Sequence, residues 1–203
     1  MSCIIIRLLL PAISIFLLFS LSARALGSTQ TPYSALAGFL TGCEDLPQPC
    51  WYGIVPGKTS LETARQILTR NGYRNERPLD QITTMMDAPE NSGLNSVNLV
   101  HRGSYLWLVG LYPRAGLPLR YVASALGSPE GIVSNSPHVV VSLAYGARLR
   151  VAINESTNAR FSLFSSHIKY VTLTAEPVQM LPWHGFMALW RYCQLEPAYL
   201  GCA

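Results

Sequence analysis

The run from Leu8 to Leu21 sets the compartment in which the rest of this 203-residue chain folds, and with it the chemistry open to its cysteines. The run is almost wholly apolar and is preceded by a single charge, Arg7. It is short for a bilayer span, which needs about 20 apolar residues, and it has the length of a secretory h-region. Ala23-Arg24-Ala25 follows with the small–x–small spacing that signal peptidase reads, which predicts a signal peptide over 1–25 cleaved after Ala25. The competing reading is an uncleaved anchor. Ile4 to Ile6 would lengthen the span, but Arg7 would then sit inside it at a cost of about 3 kcal/mol. Leu40-Thr41-Gly42-Cys43 has the form of a lipobox. A lipobox follows the h-region at once, however, and here the polar stretch from Ser28 to Tyr33 intervenes. Residues 26–42 read as a linker.

Export gives the cysteine count a meaning. Cys3 leaves with the signal, and Cys43, Cys50, Cys193 and Cys202 remain. An even number in an oxidising compartment reads as two disulfides. We favour the local pairs, Cys43 with Cys50 and Cys193 with Cys202, each flanked by Pro or Gly. The crossed pairings would instead tie the two ends of the chain together and close loops of about 150 residues. A metal site would need clustered ligands, whereas His101, His138, His167 and His184 are scattered. No metal or other cofactor is expected.

The remaining sequence has the makings of a core. Hydrophobic residues make up 49% and charged residues 13%, about half the usual charged share, which excludes disorder as the main state. The formal charge is +4. Loss of Arg7 and Arg24 with the signal leaves about +2, and the basic residues form no run or helix face, so nucleic acid is not an expected partner.

Periodicity assigns the elements. Thr59-Ser60-Leu61-Glu62 reads as a capping box with Thr59 as N-cap. Leu61, Ala64 and Leu68 recur at helical spacing, and Asn71-Gly72 stops a helix over 60–71. Leu79, Ile82 and Met86 suggest a second, short helix before Pro89. Residues 95–101 and 105–112 read as a β-hairpin. Pro118 opens a helix whose face carries Leu119, Val122 and Leu126, ended by Gly127. Residues 128–131 read as a β-turn. Residues 139–145 and 149–153 form a second hairpin around Gly146, 154–159 a polar loop, and 167–175 a long strand. Pro182 starts a helical stretch bearing Trp183, Phe186, Met187 and Trp190. Helices followed by strand pairs imply an α+β fold. The order divides into tandem units of short helices packed on antiparallel sheet, over 43–115 and 116–203.

Pro49-Cys50-Trp51-Tyr52-Gly53-Ile54-Val55-Pro56-Gly57-Lys58-Thr59 resembles the PCW-x-GI-x-PG-x-T signature of a group of uncharacterised exported bacterial proteins. Leu126-Gly127-Ser128-Pro129 and Trp183-His184-Gly185-Phe186 resemble that group's later LG-x-P and Trp-x-Gly-Phe motifs, so the resemblance spans most of residues 43–190. The chain departs from the pattern in how far Cys43 lies from Cys50. More remotely, the grammar is similar to the BamE/SmpA envelope lipoproteins and the β-lactamase-inhibitor protein. That resemblance implies helix pairs on an antiparallel sheet, two tandem copies in the inhibitor's case, and a binding or scaffold role in the cell envelope. It brings no catalytic residues.

The residues themselves carry no catalytic constellation. There is no G-x-S-x-G elbow, Walker loop, Rossmann glycine pattern, H-E-x-x-H or EF-hand run. Glu44-Asp45 lies in a Cys-bounded loop and reads as solvated. His101 and His184 qualify as catalytic only by residue type. Trp51, Tyr52, Trp183 and Trp190 form a possible binding surface for a protein or glycan, the alternative being core packing beside the disulfides. The expectation is a non-enzymatic secreted or cell-envelope protein that binds another envelope or extracellular protein. Membrane attachment would follow only from an uncleaved signal or a lipidated Cys43. The alternative is a hydrolase with a dispersed active site in a cleft between the units.

Overall fold

The computed structural model describes residues 33–114, 116–134, 140–154 and 166–185, together with helical Ile15, Phe16, Leu18 and Leu21. The chain divides into two compact units, Met1–Pro32 and Tyr33–Ala203. Every described strand belongs to the second. The expected cleavage site after Ala25 lies outside the described residues, and among those described no helix is long and apolar enough to cross a membrane.

The strands are β1 (Arg74–Pro78), β2 (Thr83–Asp87), β3 (Leu94–Arg102), β4 (Tyr105–Pro113), β5 (Leu117–Pro118), β6 (Gly131–Ser134), β7 (Val140–Tyr145), β8 (Leu149–Asn154), β9 (His167–Thr174) and β10 (Leu181–Pro182). They form one ten-stranded sheet in the order β1-β2-β3-β4-β9-β8-β7-β6-β10, with β5 paired to β9. All pairings are antiparallel. The helices are α1 (Ala37–Leu40), continuing a 3₁₀ turn at Ser34–Leu36, α2 (Leu61–Arg70) and α3 (Leu119–Leu126). This is an α+β fold: a large antiparallel sheet with a few short helices.

Register makes the core. Because side chains alternate faces along a strand, directly paired residues share a face. One unbroken line of partners runs Met86–Val97–Leu111–Val171–Val151–Leu143–Ile132–Leu181 across eight strands. All eight side chains are buried in the main core. The same core holds Ala64 and Leu68 of α2, and Leu119 and Val122 of α3, with Phe39 of α1 packed against it. The helices therefore cover this face.

Each long helix is tied to a strand in the same way. The Leu61 N–H donates to Ser104 O at 3.0 Å, just before β4, and the Leu119 N–H donates to Ser166 O at 2.9 Å, just before β9. Helix α2 leads into the meander β1–β4, and α3 into the meander β6–β9; the two meanders join where β4 pairs with β9.

Several local expectations are corrected. Ser60, not Thr59, caps α2, accepting from the Thr63 N–H at 3.0 Å. Thr59 instead turns its hydroxyl back to the Val55 N–H at 2.9 Å, closing the turn before the helix. Residues 79–86 are not a helix. The Asp80 carboxylate accepts the N–H groups of Ile82 and Thr83 at 2.8 and 2.7 Å, building the turn between β1 and β2. Within β2 burial follows a period of two, with Thr84 and Met86 inside, while Leu79 and Ile82 in the preceding turn are exposed. Residues 34–40 are not linker, because they are helical and bury Ala35 and Leu36. Gly131, assigned to a turn, opens β6, and Pro182 lies in β10, paired with Gly131, rather than opening a helix. Phe186, Met187 and Trp190 lie outside the described residues, as does the polar loop expected after Asn154.

Candidate functional site

The aromatic surface expected from the sequence is largely interior. Trp51 is fully buried, with its ring centroid 4.9 Å from Tyr52 and 5.7 Å from Tyr73. A Cβ at Gly38 would collide with the Trp51 indole, so the absence of a side chain at Gly38 is what admits it. Tyr52 is half-buried, and burial pushes its phenol pKa up. Trp183 is half-buried against the same core. These three residues pack; they do not form an open patch. Trp190 lies outside the described residues.

Cys43 and Cys50 are joined as a local disulfide with Cα atoms 5.7 Å apart. Both are buried. The bridge excludes the crossed pairings, and because it occupies the Cys43 sulfur, no free thiol is left there for a lipid thioether. Cys193 and Cys202 lie outside the described residues.

The sheet presents a second face. The line of partners offset by one residue from the core line runs Met85–Asn98–Gly110–Thr172–Arg150–Ala144–Gly131. None of these residues belongs to the core under the helices, and no described helix covers them. At the β4–β9 junction the face is aromatic and polar. The rings of Tyr112 and Tyr170 lie 5.9 Å apart. Burial raises the Tyr112 pKa most, Tyr170 raises it further and the neighbouring Asn98 side chain opposes them. Arg150 stands beside Tyr170, its pKa lowered by burial and held up by that phenol. Gly110 sits under Tyr112: a Cβ there would lie 3.3 Å from the tyrosine ring. A glycine inside a strand commonly marks such a close approach. Asn98 Oδ1 is buried without a hydrogen-bond partner, an acceptor left over on this face.

A second feature lies at the end of the β7–β8 hairpin. A cavity of about 560 Å³ is walled by Phe39 of α1, Gln48 and Pro49 of the disulfide loop, the C-terminal end of α3, Glu130, and the turn from Tyr145 to Leu149. Glu130 and Arg148 stand on its wall and are exposed. Burial pushes the Tyr145 phenol well above its ordinary pKa.

The described histidines do not converge on either place. His101 Nδ1 lies 3.0 Å from Gly103 O in the β3–β4 turn, while His167 in β9 and His184 after β10 are exposed. His138 lies outside the described residues. Among the described residues no group of three or more His, Cys, Asp or Glu side chains is placed to hold a metal ion.

Asn98, Tyr112, Arg150 and Tyr170 escaped the sequence reading. The signal that would have found them is the strand period itself, since they occupy the positions that alternate with the buried aliphatics. No protein-family model matches the chain, and neither a curated protein nor a solved structure matches it.

Proposed function

We propose that the chain is an exported, non-enzymatic binding or scaffold module of the cell envelope or extracellular space, built of two tandem helix-plus-meander units, and that it holds a protein partner on the sheet face opposite its helices. The observation that carries this reading is the Asn98–Tyr112–Tyr170–Arg150 cluster on a face that no described helix covers. Tyrosine and arginine are among the residues that most often anchor protein interfaces. The matching helix-to-strand hydrogen bonds at Leu61 and Leu119 support the tandem reading. So does the junction of β4 with β9, the last strand of each meander. The Cys43–Cys50 bridge is consistent with an oxidising compartment. The motif resemblance to the BamE/SmpA lipoproteins and the β-lactamase-inhibitor protein would imply a scaffold of this kind, and fold alone does not give function. The hydrolase alternative asks for a histidine with a serine or carboxylate in a cleft. Among the described residues, the cavity wall brings Ser128 and Glu130 but no histidine.

Photo-crosslinking in the native host tests this. A photoreactive residue at Tyr170 is expected to give a discrete protein adduct that an Asn98→Arg second substitution removes. The same probe at exposed Leu79, in the β1–β2 turn, is expected to give none. Equal labelling from both positions, or no adduct at Tyr170, would refute it.

A further inference from the structure

The cavity at the β7–β8 turn has the size of a small-molecule site, for which about 300–1,000 Å³ is usual. Its wall combines an apolar part, from Phe39, Pro49, Leu126 and Leu149, with two opposite charges, Glu130 and Arg148. Among the described residues, the ion pairs Arg65–Glu62, Arg65–Glu76, Arg77–Asp87 and Arg102–Glu176 leave Glu130 and Arg148 out, and these two are not paired with each other. Opposite charges on one wall that do not neutralise each other leave a separate carboxylate and a separate guanidinium for a ligand.

The scaffold holds both charges by their backbones. The Glu130 N–H donates to Ala144 O at 2.8 Å and its carbonyl accepts from the Trp183 N–H at 3.2 Å. The Arg148 carbonyl accepts from the Thr174 N–H at 2.9 Å and from its hydroxyl at 3.2 Å. Gln48, also on the lining, accepts from the Cys50 N–H through Oε1 at 3.2 Å, which ties the disulfide loop to itself. Pre-formed apolar walls with a few placed polar groups are what small-ligand sites share.

We infer that this cavity binds a small zwitterion with an apolar body, a free apolar amino acid or a short apolar peptide. Glu130 takes the ammonium group, Arg148 the carboxylate, and the apolar wall the side chain. A guanidinium matches a carboxylate in planar, two-point geometry, and desolvation of the apolar body supplies the non-directional part of the affinity. The site is separate from the sheet-face cluster and does not depend on the protein-binding reading.

Titration calorimetry on the protein purified from its host tests it, with L-leucine and the dipeptide Leu-Leu as probes. N-acetyl and C-amide derivatives of each remove one charge at a time. At least one free zwitterion is expected to bind, and its two blocked forms to bind about 10- to 100-fold more weakly. Glu130→Gln is expected to weaken the free form and leave the N-acetyl form unchanged; Arg148→Gln is expected to do the same for the amide. Both side chains are exposed, so the substitutions spare the core, and an unchanged melting temperature for each variant verifies this. Binding that ignores blocking of the charges, or that survives both substitutions, overturns the inference. So does absence of heat from both probes up to concentrations on the order of 10 mM.

Discussion

Replacing Cys43 and Cys50 together by alanine removes a covalent tie while keeping two small apolar side chains in a buried place. The bridge has a sequence separation of seven. In the chain-entropy treatment a closed loop of about eight residues restricts the unfolded chain by about 2.5 kcal/mol at 25 °C. The packing lost with two buried sulfurs acts in the same direction. Urea unfolding of the oxidised protein and the double variant, followed by tryptophan fluorescence, is the assay. Urea slopes of about 1–3 kcal/mol/M turn the entropic figure alone into a midpoint lower by about 1–2.5 M. Both proteins keep Cys193 and Cys202, so their contribution cancels in the comparison. Addition of reductant to the variant then reads any second bridge separately. A midpoint shift under about 0.2 M would refute the reasoning, because it would mean that the loop bracketed by these cysteines is ordered equally well without the bond.

Leu111→Ala removes a fully buried side chain at the centre of the core line and is expected to cost about 2–5 kcal/mol in the same assay; a loss below about 1 kcal/mol would mean that the line is not a packed core. The Asp80 carboxylate is held below its ordinary pKa chiefly by the Ile82 N–H, with Thr83 adding to it. Its unfolded value is about 3.9, so the contribution to the β1–β2 turn is complete above that pH and is lost as pH falls through the lower folded value. Amide hydrogen exchange at Ile82 and Thr83 is expected to speed up over that acid range in the parent protein but not in Asp80→Ala, and equal pH profiles for the two would contradict the turn assignment.

The elements legible in the sequence were those with long, unambiguous periods. Helix α2 has apolar residues at helical spacing and a polar stop, and the hairpins β3–β4 and β7–β8 have β-branched and aliphatic runs broken by Gly103 and Gly146. The misreadings share a cause: short segments in which a side-chain hydrogen bond or a tertiary contact outweighs propensity. Leu79, Ile82 and Met86 are spaced like a helix, yet the Asp80 carboxylate captures the amides that the helix would have used. Ser34 to Leu40 looked like linker because nothing local shows that Ala35 and Leu36 are buried. The same limit hid the site. The spacing of apolar residues says which side of each strand faces inward, but only the pairing of β4 with β9 brings Tyr112 to Tyr170. Trp51 and Tyr52 drew attention by residue type, and type alone does not distinguish an exposed ring from one lodged against Gly38.

The outer borders of the sheet have a consequence for how anything attaches to it. A strand with unpaired backbone groups is a template on which another chain can add itself. Here the terminal strand β1 is fully exposed and reads Arg-Asn-Glu-Arg-Pro; its charges disfavour a neighbouring strand, and Pro78 has no N–H to offer one. At the opposite border β10 is two residues long and ends in Pro182, too brief to register a partner. Among the described strands, both borders are therefore poor templates for strand addition. Contact with other molecules is thereby directed to side chains rather than to backbone, which allows it to be selective.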